Sequence, residues 1–325
     1  MKKLAGIGRV IIGLIMLGAT VHAFAQAYPT RPIRLVVPFP PSGAVDFYAR
    51  VVQQPLSEAL GQPVVIDNKA GASGMVGAEI VAKSPPDGYT LLLGNIASLA
   101  INVGLYAKMP YDPLKDLTPV IRTVDVNYVL VVHPSVPATT VPELVAYARA
   151  NPGKLSYGSA GSGSLPHLGT ELFKAQTGID LLHVPYKGGG PMVTDLLGGT
   201  VQVAIGDQAN LMPHVQSGKL RALAVATAKR SSNFPSLPTI AETGHAGFDA
   251  TAWQGLAGPA GLPPEVVRRL NEAFKMVMAM PAVREKLKGG GLEVVGGTPD
   301  QFARFIALEI TKWTRIAKDV GAKVD

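Results

Sequence analysis

The chain has 325 residues, of which 47% are hydrophobic, 16% are charged and none is cysteine. That length and apolar content suit two folded units of roughly 100–200 residues each, and the missing cysteine excludes disulfides, thiolate catalysis and cysteine metal sites. The formal charge is +7, but no Lys/Arg stripe with interleaved aromatics occurs, so nucleic acid is not an expected partner.

The first 25 residues read as a cleavable signal peptide. "MKKLAGIGRV" carries Lys2, Lys3 and Arg9 and no acid, and the apolar run at 10–21 follows. Ala23-Phe24-Ala25 and Ala25-Gln26-Ala27 both fit small-x-small cleavage. The run is too short for the roughly 20 residues that span a bilayer, so the expected location is the periplasm. Without the leader the balance is 27 basic against 23 acidic residues, or +4.

Beyond the leader, "PIRLVVPF" (32–39) is a short apolar strand ended by "PPSG". Val45, Tyr48, Ala49, Val52, Leu56 and Leu60 then recur at helical spacing, with Pro55 expected to kink or shorten the helix. "QPVVIDN" (62–68) predicts a second strand, "GASGMVGAEIVAKS" a second helix and "YTLLLGN" (89–95) a third strand. This alternation predicts a parallel α/β sheet. A strand at 127–135 opens a second, similar unit. "TTVPELVAYARANPG" reads as a helix capped by Thr140, and "LSYGSAGSGSLPHLGTELFKAQTG" and "LLHVPYKGGGPMVTDLLGG" each read as strand, loop and helix. "VQVAIGD" and "LRALAVAT" add buried strands. A Gly/Pro/Ala-rich extended stretch follows, then two amphipathic helices, the second capped by Thr298 with Pro299 at its first position. These helices have no strand of their own and are expected to return to the first sheet. The expected division is a leader at 1–25, a discontinuous first lobe at 26–126 and 250–325, and a second lobe at 127–249.

In open α/β sheets, ligands sit beyond the carboxyl ends of the strands. The loops there are "FPPSGAVD", "GNIAS", "GSAGSGSLPH", "PYKGG" and "GDQAN". They are rich in Gly, Ser and Asn and poor in charge, which lets backbone N–H groups and helix N-termini approach an anion. "HVPYKGGGP" is not a phosphate loop, because Lys187 precedes its glycines. No G-x-S-x-G, H-E-x-x-H or strand-following G-x-G-x-x-G occurs. No metal site or cofactor is therefore expected. An exported α/β hydrolase or esterase stays open as the alternative, with Ser162, Ser164, His167 and Asp207 available for a triad.

At these loops the sequence resembles the receptors of tripartite tricarboxylate transporters, the Bug family of periplasmic solute-binding proteins. The resemblance rests on "YPTRPIRLVVPFPPSGAVDFYAR", "LGQPVVIDNKAGASGMVGAEIVAKSPPDGYTLLLG", "GSAGSGSLPHL", "HVPYKGGGP" and "LLGGTVQVAIGD". It covers about residues 28–325. It implies a type II periplasmic-binding-protein fold, in which two α/β lobes close around a cleft by hinge motion. It also implies a small carboxylated ligand gripped by backbone groups, small hydroxyls and water rather than by arginine. The implied cleft residues are Phe39, Ser42, Gly43, Asp46, Asn95, Ala97 and Ser98 from the first lobe. The second lobe would add Ser159, Gly161, Gly163, Ser164, His167, Tyr186, Lys187, Gly188 and Asp207. Ser42 stands where the family pattern usually has glycine. A membrane permease or a sensor is the implied partner, and a monomer is expected.

Overall fold

Short β-branched and leucine-rich runs set the strands, and small-residue turns separate them from the helices. The computed structural model of the chain describes residues 28–41 and 43–324; the expected leader and Ser42 lie outside them. In chain order the strands are β1 (Ile33–Val37), β2 (Val64–Asn68), β3 (Thr90–Asn95), β4 (Leu117–Val126), β5 (Tyr128–Val132), β6 (Ser156–Ser159), β7 (Leu182–Pro185), β8 (Val203–Asp207), β9 (Arg221–Val225), β10 (Ala252–Pro259) and β11 (Leu292–Val294). The helices are α1 (Ala44–Leu60), α2 (Met75–Ala82), α3 (Asn102–Leu105), α4 (Val141–Ala150), α5 (Leu165–Thr177), α6 (Gly189–Leu197), α7 (Gln208–Gln216), α8 (Pro264–Ala279), α9 (Pro281–Gly289) and α10 (Pro299–Asp319).

Six strands make the first sheet, in the order β11-β4-β10-β3-β1-β2, and five make the second, β7-β6-β8-β5-β9. β1 pairs in parallel with β2 and β3, as the strand-helix alternation predicts. β10 and β11 run antiparallel to their neighbours, so the first sheet is mixed rather than wholly parallel. In the second sheet β6 is parallel to β7 and β8, and β5 is antiparallel to β8 and β9. The sequence pattern does not reveal β4, whose run "LTPVIRTVDV" is broken by proline and charge. β10 reads as loop because it is rich in glycine and alanine, yet it is buried along its whole length. Gly255 shows why: a Cβ there would run into the Phe302 ring.

α1 runs through Pro55 without a break, so the proline does not shorten the helix. Its buried face of Val45, Tyr48, Ala49, Val52, Leu56 and Leu60 lies on both sides of the proline. Burial of about 1.5–3 kcal/mol per large side chain outweighs the roughly 3 kcal/mol cost of an interior proline. After β10 the chain makes three helices rather than two, with β11 between the second and third. α8 and α10 both pack against β4, so this tail covers the first sheet. Thr298 and Gln301 form a capping box that starts α10.

The chain passes between the sheets twice. Asn127 alone separates β4 from β5, and residues 226–251 lead from β9 back to β10. The Asn127 amide donates to Glu293 Oε1 at 2.7 Å and Ser231 Oγ at 3.2 Å, tying the two crossings together. Among the described residues, no helix is long and apolar enough to cross a membrane.

Candidate ligand-binding site

Residues that follow β1, β3, β6 and β8 line one cavity of about 540 Å³ between the two sheets. On the first-sheet side stand Phe39, Gly43, Asn95 and Ala97. Gly43 is the N-cap of α1 and supplies no side-chain cap, and Ala44 and Val45 of the first turn line the cavity at the positive end of a 17-residue helix. Asn95 Oδ1 accepts from the amides of Ala97 (3.1 Å) and Ser98 (3.2 Å), which fixes its Nδ2 as the group left to donate.

Two expected residues on this side lie beneath the wall. Asp46 is 1% exposed and accepts from Arg50 Nε (2.7 Å) and Asn68 Nδ2 (3.0 Å). Asn68 also donates to the Phe39 carbonyl at 3.1 Å, so Asp46 braces the loop from behind. Ser98 is fully buried and bonds the Asn95 backbone.

On the second-sheet side, Gly163, Ser164 and the first turn of α5 form the wall. Ser164 is the N-cap of α5: its Oγ accepts from the His167 amide (3.4 Å) and donates to the Gly161 carbonyl (2.7 Å). Ser164→Ala is expected to lower the stability of the ligand-free protein by about 1 kcal/mol. A loss below a few tenths in denaturant unfolding would show that this cap contributes nothing. Gly163 has φ +77°, and a Cβ there would lie 2.5 Å from Leu105 Cδ1, so it marks a close approach of the two walls.

His167 is not in the wall, because its ring turns inward. Nδ1 accepts from the Gly163 amide at 3.1 Å. The ring stacks on His183 (4.1 Å between centroids, 16°), which stacks in turn on Tyr157 (4.8 Å, 16°). Ser159 is also drawn inward, its Oγ 2.7 Å from His183 Nε2. Burial lowers the pKa of both imidazoles, that of His183 to about 4 with the neighbouring His167 adding to the effect. Gly161 lies off the wall with its carbonyl taken by Ser164.

The "PYKGG" loop packs behind this segment instead of reaching the cavity. Tyr186 N–H donates to the Ser159 carbonyl (3.0 Å) and Gly188 N–H to that of Ala160 (3.2 Å). The Tyr186 hydroxyl donates to Asp195 (2.7 Å), and Lys187 is exposed. Asp207 does line the cavity, but its carboxylate caps α7, accepting from Asn210 N–H (2.9 Å) and Nδ2 (2.6 Å). Ser164 Oγ meets the backbone of His167 rather than its ring, so Ser164, His167 and Asp207 make no triad.

Sequence reasoning missed the floor of the cavity. Tyr128, Trp253 and Gln254 come from the crossing strands β5 and β10, and Ser73 and Asn102 complete the first-sheet side. Burial, reinforced by the Asp207 carboxylate, raises the Tyr128 pKa and keeps its hydroxyl protonated. Trp253 is pinned from beneath: its indole N–H and that of Trp313 both donate to Glu309 Oε2 at 2.9 Å. No lysine, arginine or histidine is among the described residues that line the cavity.

The model of the tripartite tricarboxylate transporter family receptor, TctC, matches residues 48–322. The chain belongs to this receptor family. Protein BugT of Bordetella pertussis is 42% identical to this TctC receptor over 317 residues, 97% of each chain. An R. palustris protein solved with adipate is 42% identical with a TM-score of 0.80, covering 91% of this chain and 100% of its own. MatC from Rhodopseudomonas palustris with bound malate is 32% identical with a TM-score of 0.75, covering 89% of this chain and 99% of its own. The two-sheet architecture of this TctC receptor is thus that of periplasmic binding proteins.

Proposed function

We propose that this receptor captures a small carboxylate in the cavity between its sheets and performs no chemistry on it. The supporting observation is a cavity where the uncapped start of α1 and the start of α5 stand opposite each other with no cationic side chain in the wall. Helix N-termini bind carboxylates through free amides and the helix dipole. Likeness to proteins solved with adipate and malate supports the same ligand class. On this reading residues 1–25 direct export to the periplasm. Residues 26–126 with 250–325, and residues 127–249, then form two lobes that close on the ligand. The loaded monomer delivers its ligand to a membrane permease or a sensor.

Trp253 lies in the cavity floor, so its fluorescence reports occupancy. Titration with adipate, malate and a wider panel of carboxylic acids is expected to change that signal and raise the melting temperature. If no acid stabilises the protein while an ester is turned over, the binding reading is wrong.

A further inference from the structure

The imidazole stack behind the 158–164 loop has no place in ligand contact, yet it makes a bond that only one protonation state allows. His167 Nδ1 accepts the Gly163 N–H at 3.1 Å, so that nitrogen carries no proton. A protonated ring is a donor at both nitrogens, and its Nδ1–H would face the Gly163 N–H. Ala160, Gly163 and Ser164 are the part of the loop that lines the cavity.

We propose that His167 is a positioning residue whose neutral ring holds the 158–164 loop in its ligand-gripping form, and that protonating the ring releases the loop. The inference rests on reading that loop as part of the carboxylate grip. His183 and Tyr157 fix the plane of the His167 ring by stacking, with His183 anchored in turn by Ser159. Among the charged groups, Glu171 favours a proton on both rings, Lys174 opposes it on both, and His167 opposes it on His183. Glu171 and Lys174 pair at 2.8 Å, and Glu171 also accepts from the Tyr157 hydroxyl at 2.6 Å, so the net pull of the carboxylate is taken up locally. Burial decides the balance and keeps both rings neutral. An imidazole ordinarily titrates near about 6.5. Stability from the neutral His183 is therefore complete above that pH and is lost as pH falls toward about 4.

Two variants separate acceptance from packing. In His167→Asn the amide Oδ1 takes the place of Nδ1 and cannot titrate. In His167→Leu there is no acceptor. Affinity for adipate and malate is measured by calorimetry from pH 7.5 to 4.5 on the whole protein. The wild type is expected to lose about tenfold more affinity than His167→Asn over this range, and His167→Leu to be about tenfold weaker already at pH 7.5. Protonation of the ligand affects all three proteins alike and cancels in the comparison. Parallel pH profiles for the wild type and His167→Asn overturn the proposal. The Gly163 amide resonance gives a test that needs no ligand. It is expected to move with an imidazole titration in the wild type and to stay fixed in His167→Asn, and a wild-type resonance indifferent to pH overturns the proposal. Absence of binding by the wild type at pH 7.5 would instead remove the receptor reading, and the resonance would then decide the role of His167 alone.

Discussion

Replacing Glu309 by alanine is expected to destabilise the protein by about 3–5 kcal/mol. Glu309 is 5% exposed on α10, and one of its oxygens accepts from the indoles of Trp253 and Trp313. Both tryptophans are fully buried. Removing the carboxylate strands two donors in the core, each at a cost of about 1–3 kcal/mol. Lys312 loses its partner at 2.5 Å as well, but it is partly exposed and keeps a weak approach to Asp249. Glu309→Gln retains an amide oxygen and is expected to lose less than half as much. Denaturant unfolding of both variants checks this; a loss below about 1 kcal/mol for the alanine variant would mean that the indoles find other acceptors. The effect reaches the site because Trp253 is part of its floor.

Gly163→Ala is expected to weaken ligand binding by more than about tenfold, with a stability loss of about 1–2 kcal/mol. Backbone strain accounts for the lesser share, since Gly163 sits in the left-handed region at φ +77°. Steric conflict accounts for the rest. The new methyl group would come 2.5 Å from Leu105 Cδ1, and one side must retreat. Leu105 is buried at the end of α3, so the loop is the side that moves. Moving it carries Ser164 and the start of α5 away from the opposing wall. Calorimetry on Gly163→Ala and on the double variant with Leu105→Ala separates strain from collision. Recovery of affinity in the double variant identifies the steric contact. No recovery assigns the whole effect to the backbone.

The units built from strand, loop and helix were legible because their signals are local. β1, β3 and β8 are short apolar runs, and β6, polar in itself, is marked by the small-residue turn and helix pattern that follow it. β4 and β10 were not legible, since their stability comes from each other. Gln254 pairs with Asn95 on one side and Val124 on the other, both far away in sequence. Tyr128, Trp253 and Gln254 were missed for that reason. The loops themselves were readable as candidates, but not the side on which each side chain falls. Asp46, Ser159, His167 and Tyr186 are polar residues at or beside these loops. Each turns inward to bond loop backbone or a neighbouring side chain, because the turn's own unpaired groups must be satisfied.

On the proposed reading, recognition through backbone amides at the start of α1 bears on how such a receptor changes over generations. A substitution alters a side chain but leaves the peptide N–H in place, and only proline removes it. The proposed grip on an anionic group would therefore be inherited with the placement of the helix and be nearly silent to mutation. Drift at Phe39, Ser73, Asn102 or Asn210 can reshape the rest of the cavity without touching that grip. A lineage built this way can try new organic acids one side chain at a time and keep its hold on the carboxylate throughout.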